Sequence, residues 1–333
     1  MNTRTSNAVA GAAHAAIEAA IWAPSVHNTQ PWSFALTGDE ISLRADTDRK
    51  LHVADATGRQ MLISCGAALF NVRITLSALG YEPAVRVLPD PDRPSLLATV
   101  RPRSNVRGDE DACLLHGEIP LRRTHRAGFS ALPVPDPVID ALTADASAEG
   151  AALVLVRAES TMRVLAALTS AAQEIEAQDR AFTLEMMRWA RPPGSSRRDG
   201  IPARSYPAAP RRTRPEHFAQ RDYAGGNRWG SEDDLALSSE TGLVTVLTTT
   251  GDSREDWLVA GQSLQRVLLH ASAYGLSAAF HTQALEMRDL REFIRRHVCG
   301  GTFPQMILRL GFALDDTSSV RRPASEVLEE RRA

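Results

Sequence analysis

The chain has 333 residues, about twice the usual length of one domain, so two domains or one large one are expected. Hydrophobic residues make up 43% and charged residues 23%, with 21 glycines and 19 prolines, which excludes fibrous and fully disordered chains. A formal net charge of -2 gives no overall reason to bind nucleic acid or an anionic membrane, and neither partner is expected. Among 38 basic residues only Lys50 is a lysine, so a lone arginine carries little information.

Cys65, Cys113 and Cys299 lack C-x-x-C spacing and cannot form a disulfide framework, which points to a reducing compartment, the cytoplasm. The first residues, with Arg4, His14 and Glu18, do not form a secretory signal, and no run of about 18 uncharged apolar residues occurs. In chain order, the alanine-rich stretch 8–23 predicts a first helix that Pro24 ends. A polar loop, 24–32, is framed by prolines. Strands are expected at 33–36 and 40–44, a helix over 57–79 closed by Gly80, and strands at 84–88 and 96–101. A second series starts near His116 with an arginine-rich turn, then a helix from the prolines at 133–137 to Ala148 and a strand at 151–156. The β-branched run 242–250, a helix over 253–274 and a strand at 305–313 complete it.

Shifting the chain against itself by 195 residues superposes 66–80 on 261–275 without a gap. Gly66 and Gly261, Leu69 and Leu264, Val72 and Val267, Ser77 and Ser272, Ala78 and Ala273, and Gly80 and Gly275 are identical pairs. Two amphipathic helices can match this way by composition alone; the alternative is a duplicated unit forming within one chain what is usually a dimer. Segment 188–228 breaks the symmetry with ten arginines, three acids and six prolines. Proline at this density suits neither helix nor sheet, so an extended, poorly packed excursion is expected: a solvated loop, a lid over a site, or a grip on an anionic ligand.

The sequence holds no G-x-S-x-G elbow, phosphate loop, G-x-G-x-x-G fingerprint or H-E-x-x-H, and its nine histidines lack metal-ligand spacing. Three clusters remain: Pro24-Ser25-Val26-His27-Asn28-Thr29-Gln30-Pro31-Trp32, Arg122-Arg123-Thr124-His125-Arg126 followed by Phe129, and Arg321-Arg322-Pro323. The first offers hydrogen-bonding side chains on stiffened backbone. Guanidinium forks from the other two match phosphate oxygens.

In this order the clusters resemble the FMN-dependent nitroreductase superfamily, and specifically its tandem Acg-like members, with two nitroreductase-like halves in one chain. Residues 22–32 resemble the P-S-x-x-N-x-Q-P-W signature, 122–129 the R-R-S-x-R-x-F element with Thr124 in the serine place, and 305–328 the C-terminal strand and arginine segment. The resemblance implies a duplicated α+β fold: two mixed sheets flanked by helices as an internal pseudo-dimer, with residues 1–115 and 116–333 as halves and a lid-like excursion at about 188–228. It implies one complete FMN site per chain, because the signature elements are divided between the halves, and a degenerate second site. By match, Arg122 and Arg322, with Arg321 and Arg123 nearby, would hold the FMN phosphate, supported by Thr124. Arg126 would lie near the N1/O2 edge of the isoalloxazine, and Pro24, Ser25 and Asn28 would line the ring. The stretch 276–282, including Ala279, Phe280 and His281, would reach N5 and O4.

The activity implied is an NAD(P)H oxidoreductase of the nitroreductase type, with NADH or NADPH as donor and a nitroaromatic or quinone as small aromatic acceptor. The chemistry is the flavin's, so no catalytic side chain and no metal are expected. The competing reading is a flavin-sequestering protein whose lid blocks the donor. A third, polyanion binding by the arginine-rich stretch, is opposed by the negative charge elsewhere. A monomer with an internal pseudo-dimer is expected, with further homodimerisation left open.

Overall fold

The helix Arg59–Ala78 is mostly apolar over 20 residues and is buried almost all round, and its packing against the amphipathic helix Arg254–Ala273 determines how this chain folds. The computed structural model describes residues 3–105, 109–209, 212–214, 218–230, 239–314 and 319–331. The first half contains α1 (Thr3–Ala20), β1 (Trp32–Thr37), β2 (Glu40–Ala45), α2 (Arg59–Ala78), β3 (Tyr81–Val87) and β4 (Leu96–Asn105). After it come α3 (Glu110–Glu118), α4 (Asp136–Ala148), β5 (Ala152–Leu155), α5 (Glu159–Gln178), α6 (Arg180–Trp189), and the short parallel pair β6 (Ala190–Arg191) and β7 (Ile201–Pro202). The chain then forms β8 (Leu243–Thr249), α7 (Arg254–Ala273), β9 (Ser277–Phe280), α8 (Gln283–Glu286), α9 (Arg288–His297), β10 (Phe303–Gly311) and β11 (Leu328–Arg331).

One sheet has the order β11-β1-β2-β4-β3 and the other β5-β8-β10-β9. Strand β11 pairs parallel with β1, Phe34 opposite Leu328, so the C-terminal segment completes the sheet of the first half. The remaining pairs in both sheets are antiparallel, giving one mixed sheet and one antiparallel sheet in an α+β fold.

Helices α2 and α7 pack against each other between the sheets, and the apolar character of α2 is that of a core helix. They cross where Gly66 meets Gly261: a Cβ on Gly66 would lie 2.4 Å from Leu258 O, and one on Gly261 would lie 2.0 Å from Ile63 O. Only glycine permits that approach. A buried hydrogen bond from Gln265 Nε2 to Asn71 Oδ1 (2.7 Å) ties the helices one turn further on. One pair matched by the 195-residue shift, Gly66 and Gly261, thus meets across the interface.

The expected elements form within a few residues of their expected ends, while helices α3, α5, α6, α8 and α9 and strands β6, β7, β9 and β11 are additions to the expected set. Segment 188–228 departs from the extended, poorly packed excursion expected. Its start belongs to α6, and Phe218, Ile201 and Tyr206 are buried. The prolines keep it from regular structure, but Asp199 gathers Arg49, Arg191 and Arg197 at 3.1, 2.7 and 3.0 Å and fixes it to the body. Helix α6 packs Phe182, Met186 and Trp189 onto Leu51 and Ala54 of the first half. Positions 210–211 and 215–217 of the segment lie outside the described residues.

Candidate functional site

The proline-framed loop is held in an uncommon backbone shape. His27, Asn28 and Gln30 have φ of 46, 54 and 51°, the left-handed region that non-glycine residues avoid, and such strain gathers at functional sites. Local bonds compensate. Ser25 Oγ accepts from Gln30 N (3.0 Å), Ser64 Oγ of α2 accepts from Val26 N (3.2 Å), and Asn28 N donates to Ser25 O (3.0 Å). The Asn28 amide then reaches outward, donating to Gly200 O (2.8 Å) and Val320 O (3.1 Å) while its Oδ1 accepts from Arg321 Nη1 (3.1 Å). One side chain so joins the loop, the 188–228 segment and the C-terminal arginines.

The loop forms one wall of a cleft between the halves, enclosing about 860 Å³ of space that is partly open to solvent. Of the residues expected from the sequence, Pro24, Ser25, Thr124, Arg126, Ala279, Phe280 and His281 line it. Strand β9 brings Ala279 and Phe280, with His281 directly after it, and a bridge between Thr124 and Ala278 aligns the R-R-T-H-R element alongside. At one end a smaller cavity of about 330 Å³ shares Pro24, Ser25, Thr124 and Arg126 and adds Asn28 and Arg321.

That end is strongly cationic. Arg122 donates to Trp22 O (3.3 Å), but its buried Nε and Nη1 have no partner. Arg321 donates to Trp22 O and Ala23 O (both 3.2 Å) and leaves Nε unpaired; Arg126 Nε is unpaired as well. Among the described residues no carboxylate pairs with any of the three. Burial, with Arg123 and Arg126 beside it, pushes the Arg122 guanidinium down to about 9. Burial and then the charges of Arg122, Arg123 and Arg126 push Arg321 well down too. Buried cations without counter-charge are costly, and a dianion bound there would relieve the cost. Arg123 turns aside, over the Trp22 ring at 4.9 Å. Arg322 is not brought to the cleft: its backbone N donates to Gln30 Oε1 (2.8 Å) and its side chain pairs with Glu326 at 3.3 Å.

Further donors look into the cleft. Gln60 Nε2 of α2 and His281 Nδ1 are buried and unpaired. Arg309 Nε donates to His281 Nε2 (2.7 Å), which leaves the ring proton on Nδ1, and burial followed by the charges of Arg309 and Arg221 holds His281 neutral. His27 is likewise neutral, pushed down to about 3 by burial and then by Arg221, whose Nη1 lies 3.0 Å from its Nε2. The remaining wall comes from the arginine-rich segment through Ile201, Gln220, Arg221 and Tyr223.

The α2 face (Gln60, Ile63, Ser64), Leu264, Met306, Arg309 and the four segment residues were not among the residues expected from the sequence. For α2 a signal existed: Gln60 and Ser64 are polar residues four apart on a helix otherwise apolar there. For the segment the arginine and proline density pointed to a lid, but not to which residues line the cleft, since its irregular path cannot be read from local pattern.

An α+β fold with a cleft and a cationic pocket at its end is the frame in which the relatives of this chain are compared. The chain belongs to the NAD(P)H nitroreductase family, an oxidoreductase family that includes the Acg proteins. It is 33% identical over 319 residues, 93% of this chain and 89% of the relative, to a Mycobacterium tuberculosis protein provisionally named NAD(P)H nitroreductase. The similarly named acg protein of the same organism is 28% identical over 320 residues, 95% of each chain. No family model matches the sequence. Among solved structures, a nitroreductase with bound FMN from Bacteroides fragilis aligns with a TM-score of 0.37 and 12% identity, over 62% of this chain and 94% of that one. A nitroreductase in complex with FMN from Desulfovibrio desulfuricans aligns at 0.36 and 14%, over 65% and 96%.

Proposed function

We propose that the chain is an FMN-dependent oxidoreductase that passes a hydride from NADH or NADPH to a small aromatic acceptor, a nitroaromatic or a quinone. The observation that carries this reading is the pair Arg126 and Arg321, which line the end of the cleft with buried unpaired nitrogens and, among the described residues, no carboxylate partner, with the buried Arg122 behind them. Arg122 and Arg321 would hold the phosphate, with Thr124 beside them. Arg126 would offset negative charge at the N1/O2 edge of the ring. The Pro24–Asn28 loop of the first half, 1–115, and the Ala279–His281 stretch of the second, 116–333, would hold the ring between them. Bound FMN supplies the centre that takes and gives the hydride, so the protein's part is to bind, orient and exclude water. The halves would act as two subunits do, in a monomer working in the cytoplasm.

A second reading, sequestration of FMN without turnover, is favoured by Ile201, Gln220, Arg221 and Tyr223, which close the cleft from the 188–228 segment. The visible spectrum of the purified protein, followed without oxygen as NADPH and then NADH are added, tests both. Flavin bands that bleach support the oxidoreductase. Bands that persist with both nucleotides and bleach with dithionite support sequestration. Failure to bind flavin after incubation with FMN overturns both.

A further inference from the structure

His281 lines the cleft directly after β9 and is 3% exposed. Its main-chain N donates to Ile307 O (3.0 Å), and its ring packs on Phe218 with 5.0 Å between centroids. Beside it stands Arg309 of β10, 1% exposed. Arg309 Nη1 donates to Thr241 O and Nη2 to Ala127 O (both 3.0 Å), the guanidinium lies 5.2 Å from the centre of the Phe129 ring, and Nε donates to His281 Nε2 (2.7 Å). Each nitrogen of the fork has an acceptor, and among the described residues none of these acceptors is a carboxylate.

This pair fixes the place of a proton. Burial pushes Arg309 down to about 9, so it stays charged at neutral pH, and a charged guanidinium can only donate. His281 Nε2 is therefore the bare nitrogen, and the one proton of the neutral ring stands on Nδ1. The cation at Nε2 draws electron density from the imidazole and polarises the N–H on its far side, which makes Nδ1 a strong donor. Yet Nδ1 is buried without a partner. A buried donor of fixed direction, on the wall of a ligand cleft, calls for an acceptor on the ligand.

We propose, on the reading that FMN occupies the cleft, that Arg309 and His281 together tune its reduction potential. His281 Nδ1–H donates to the C4 carbonyl oxygen of the isoalloxazine, and Arg309, acting through His281, is the positioning residue that sets the tautomer and the strength of this bond. The C4 oxygen shares the negative charge of the reduced ring by conjugation, so a donor there holds the reduced ring more tightly than the oxidised one and raises the potential.

The midpoint potential of bound FMN, measured without oxygen against reference dyes, tests this assignment. His281→Phe keeps a ring against Phe218 and removes the donor. In this variant reduced FMN is expected to lose at least about tenfold in affinity relative to oxidised FMN, a fall of about 30 mV for a two-electron couple. His281→Gln, whose amide can accept from Arg309 and donate to the flavin, should stay within about threefold of the native chain. Arg309→Met should lower the potential in the same sense, and the double variant no further than His281→Phe alone, since both act through one hydrogen bond. Nitrogen-15 spectra of the native chain labelled at histidine give a readout that needs no variant to fold: His281 should be protonated at Nδ1, and that proton should exchange more slowly once FMN is bound. An unchanged potential in His281→Phe with FMN bound, additive losses in the double variant, a ring protonated at Nε2, or an Nδ1 proton that FMN does not protect would each overturn the proposal and leave the FMN reading standing. Failure of the native chain to bind FMN overturns both.

Discussion

Arg321 and Arg322 are chain neighbours with opposite surroundings. Arg321 reaches Asn28 and the carbonyls of Trp22 and Ala23 beside Arg122, whereas the half-buried Arg322 has carboxylates for neighbours, Glu326 at 3.3 Å and Asp46 at 3.9 Å. Charge-assisted hydrogen bonds to a phosphate are worth about 1.5–3 kcal/mol each. Arg321→Ala is accordingly expected to weaken FMN binding by about tenfold to a hundredfold, and Arg322→Ala by less than about threefold, as read by flavin fluorescence titration. Equal losses would mean that the phosphate sits elsewhere. The cationic cluster was legible in the sequence as a type of chemistry, but which of two adjacent arginines turns inward was not. Successive side chains on extended backbone point to opposite sides, and the side facing the cleft is decided by packing distant in sequence. Gln60 and His281 differ in the same way: the first is visible only as a polar step on an apolar helix, the second through the aligned stretch after Gly275.

The elements around the cleft are fixed by single carboxyl groups at their ends. Asp199 holds the arginine-rich segment through Arg49, Arg191 and Arg197; burial pushes its carboxyl up, but the three guanidinium groups win and hold it well below the usual range. Removing the charge in Asp199→Asn should free 191–204 locally. Trypsin, for which the segment offers many arginines, is expected to cut it about tenfold faster while the rest of the chain stays resistant. If the segment also limits donor access, the same variant should be reduced faster by NADPH. Asp55 behaves in the opposite sense. Its oxygens accept from Gln60 N (3.1 Å) and Met61 N (2.8 Å) at the start of α2, yet burial outweighs these bonds and the nearby Arg59 and pushes it up to about 6. The folded form then binds the proton more tightly than the unfolded form, so this contribution to stability is complete below about pH 4 and is lost as pH rises through 6. Relative to Asp55→Asn, the native chain should be more stable at pH 4.5 than at pH 7 by about 2 kcal/mol, measured by urea unfolding. A difference that grows with pH would show that the helix amides, not burial, govern this carboxyl group.

At the scale of the whole molecule, the likeness of α2 and α7 was legible because their crossing constrains the matched glycine in both helices. There the chain needs its smallest side chain twice, at Gly66 and Gly261. The pairing of β11 with β1 was not legible: four residues contacting a strand nearly 300 positions earlier leave no local periodicity. The crossing also carries the site, since Ile63, Ser64 and Leu264 of the two helices line the cleft within about one turn of it. A methyl group on Gly261 would fall 2.0 Å from Ile63 O and 2.8 Å from Gly66 Cα, and one on Gly66 would fall 2.4 Å from Leu258 O. These obstacles are backbone atoms, so no rotamer change relieves them and the helices must separate. Gly261→Ala is therefore expected to cost about 3 kcal/mol or more, seen as a large drop in melting temperature. Gly11, in α1 with nothing within 4 Å of an added Cβ, is the control: Gly11→Ala should gain up to about 1 kcal/mol from helix propensity alone. If Gly261→Ala folds with near-native stability, the helices do not cross this closely. If instead it folds weakly and also loses flavin, the same contact supports both the fold and the shape of the cleft, because Ile63, whose carbonyl oxygen the methyl group would displace, also lines the cleft.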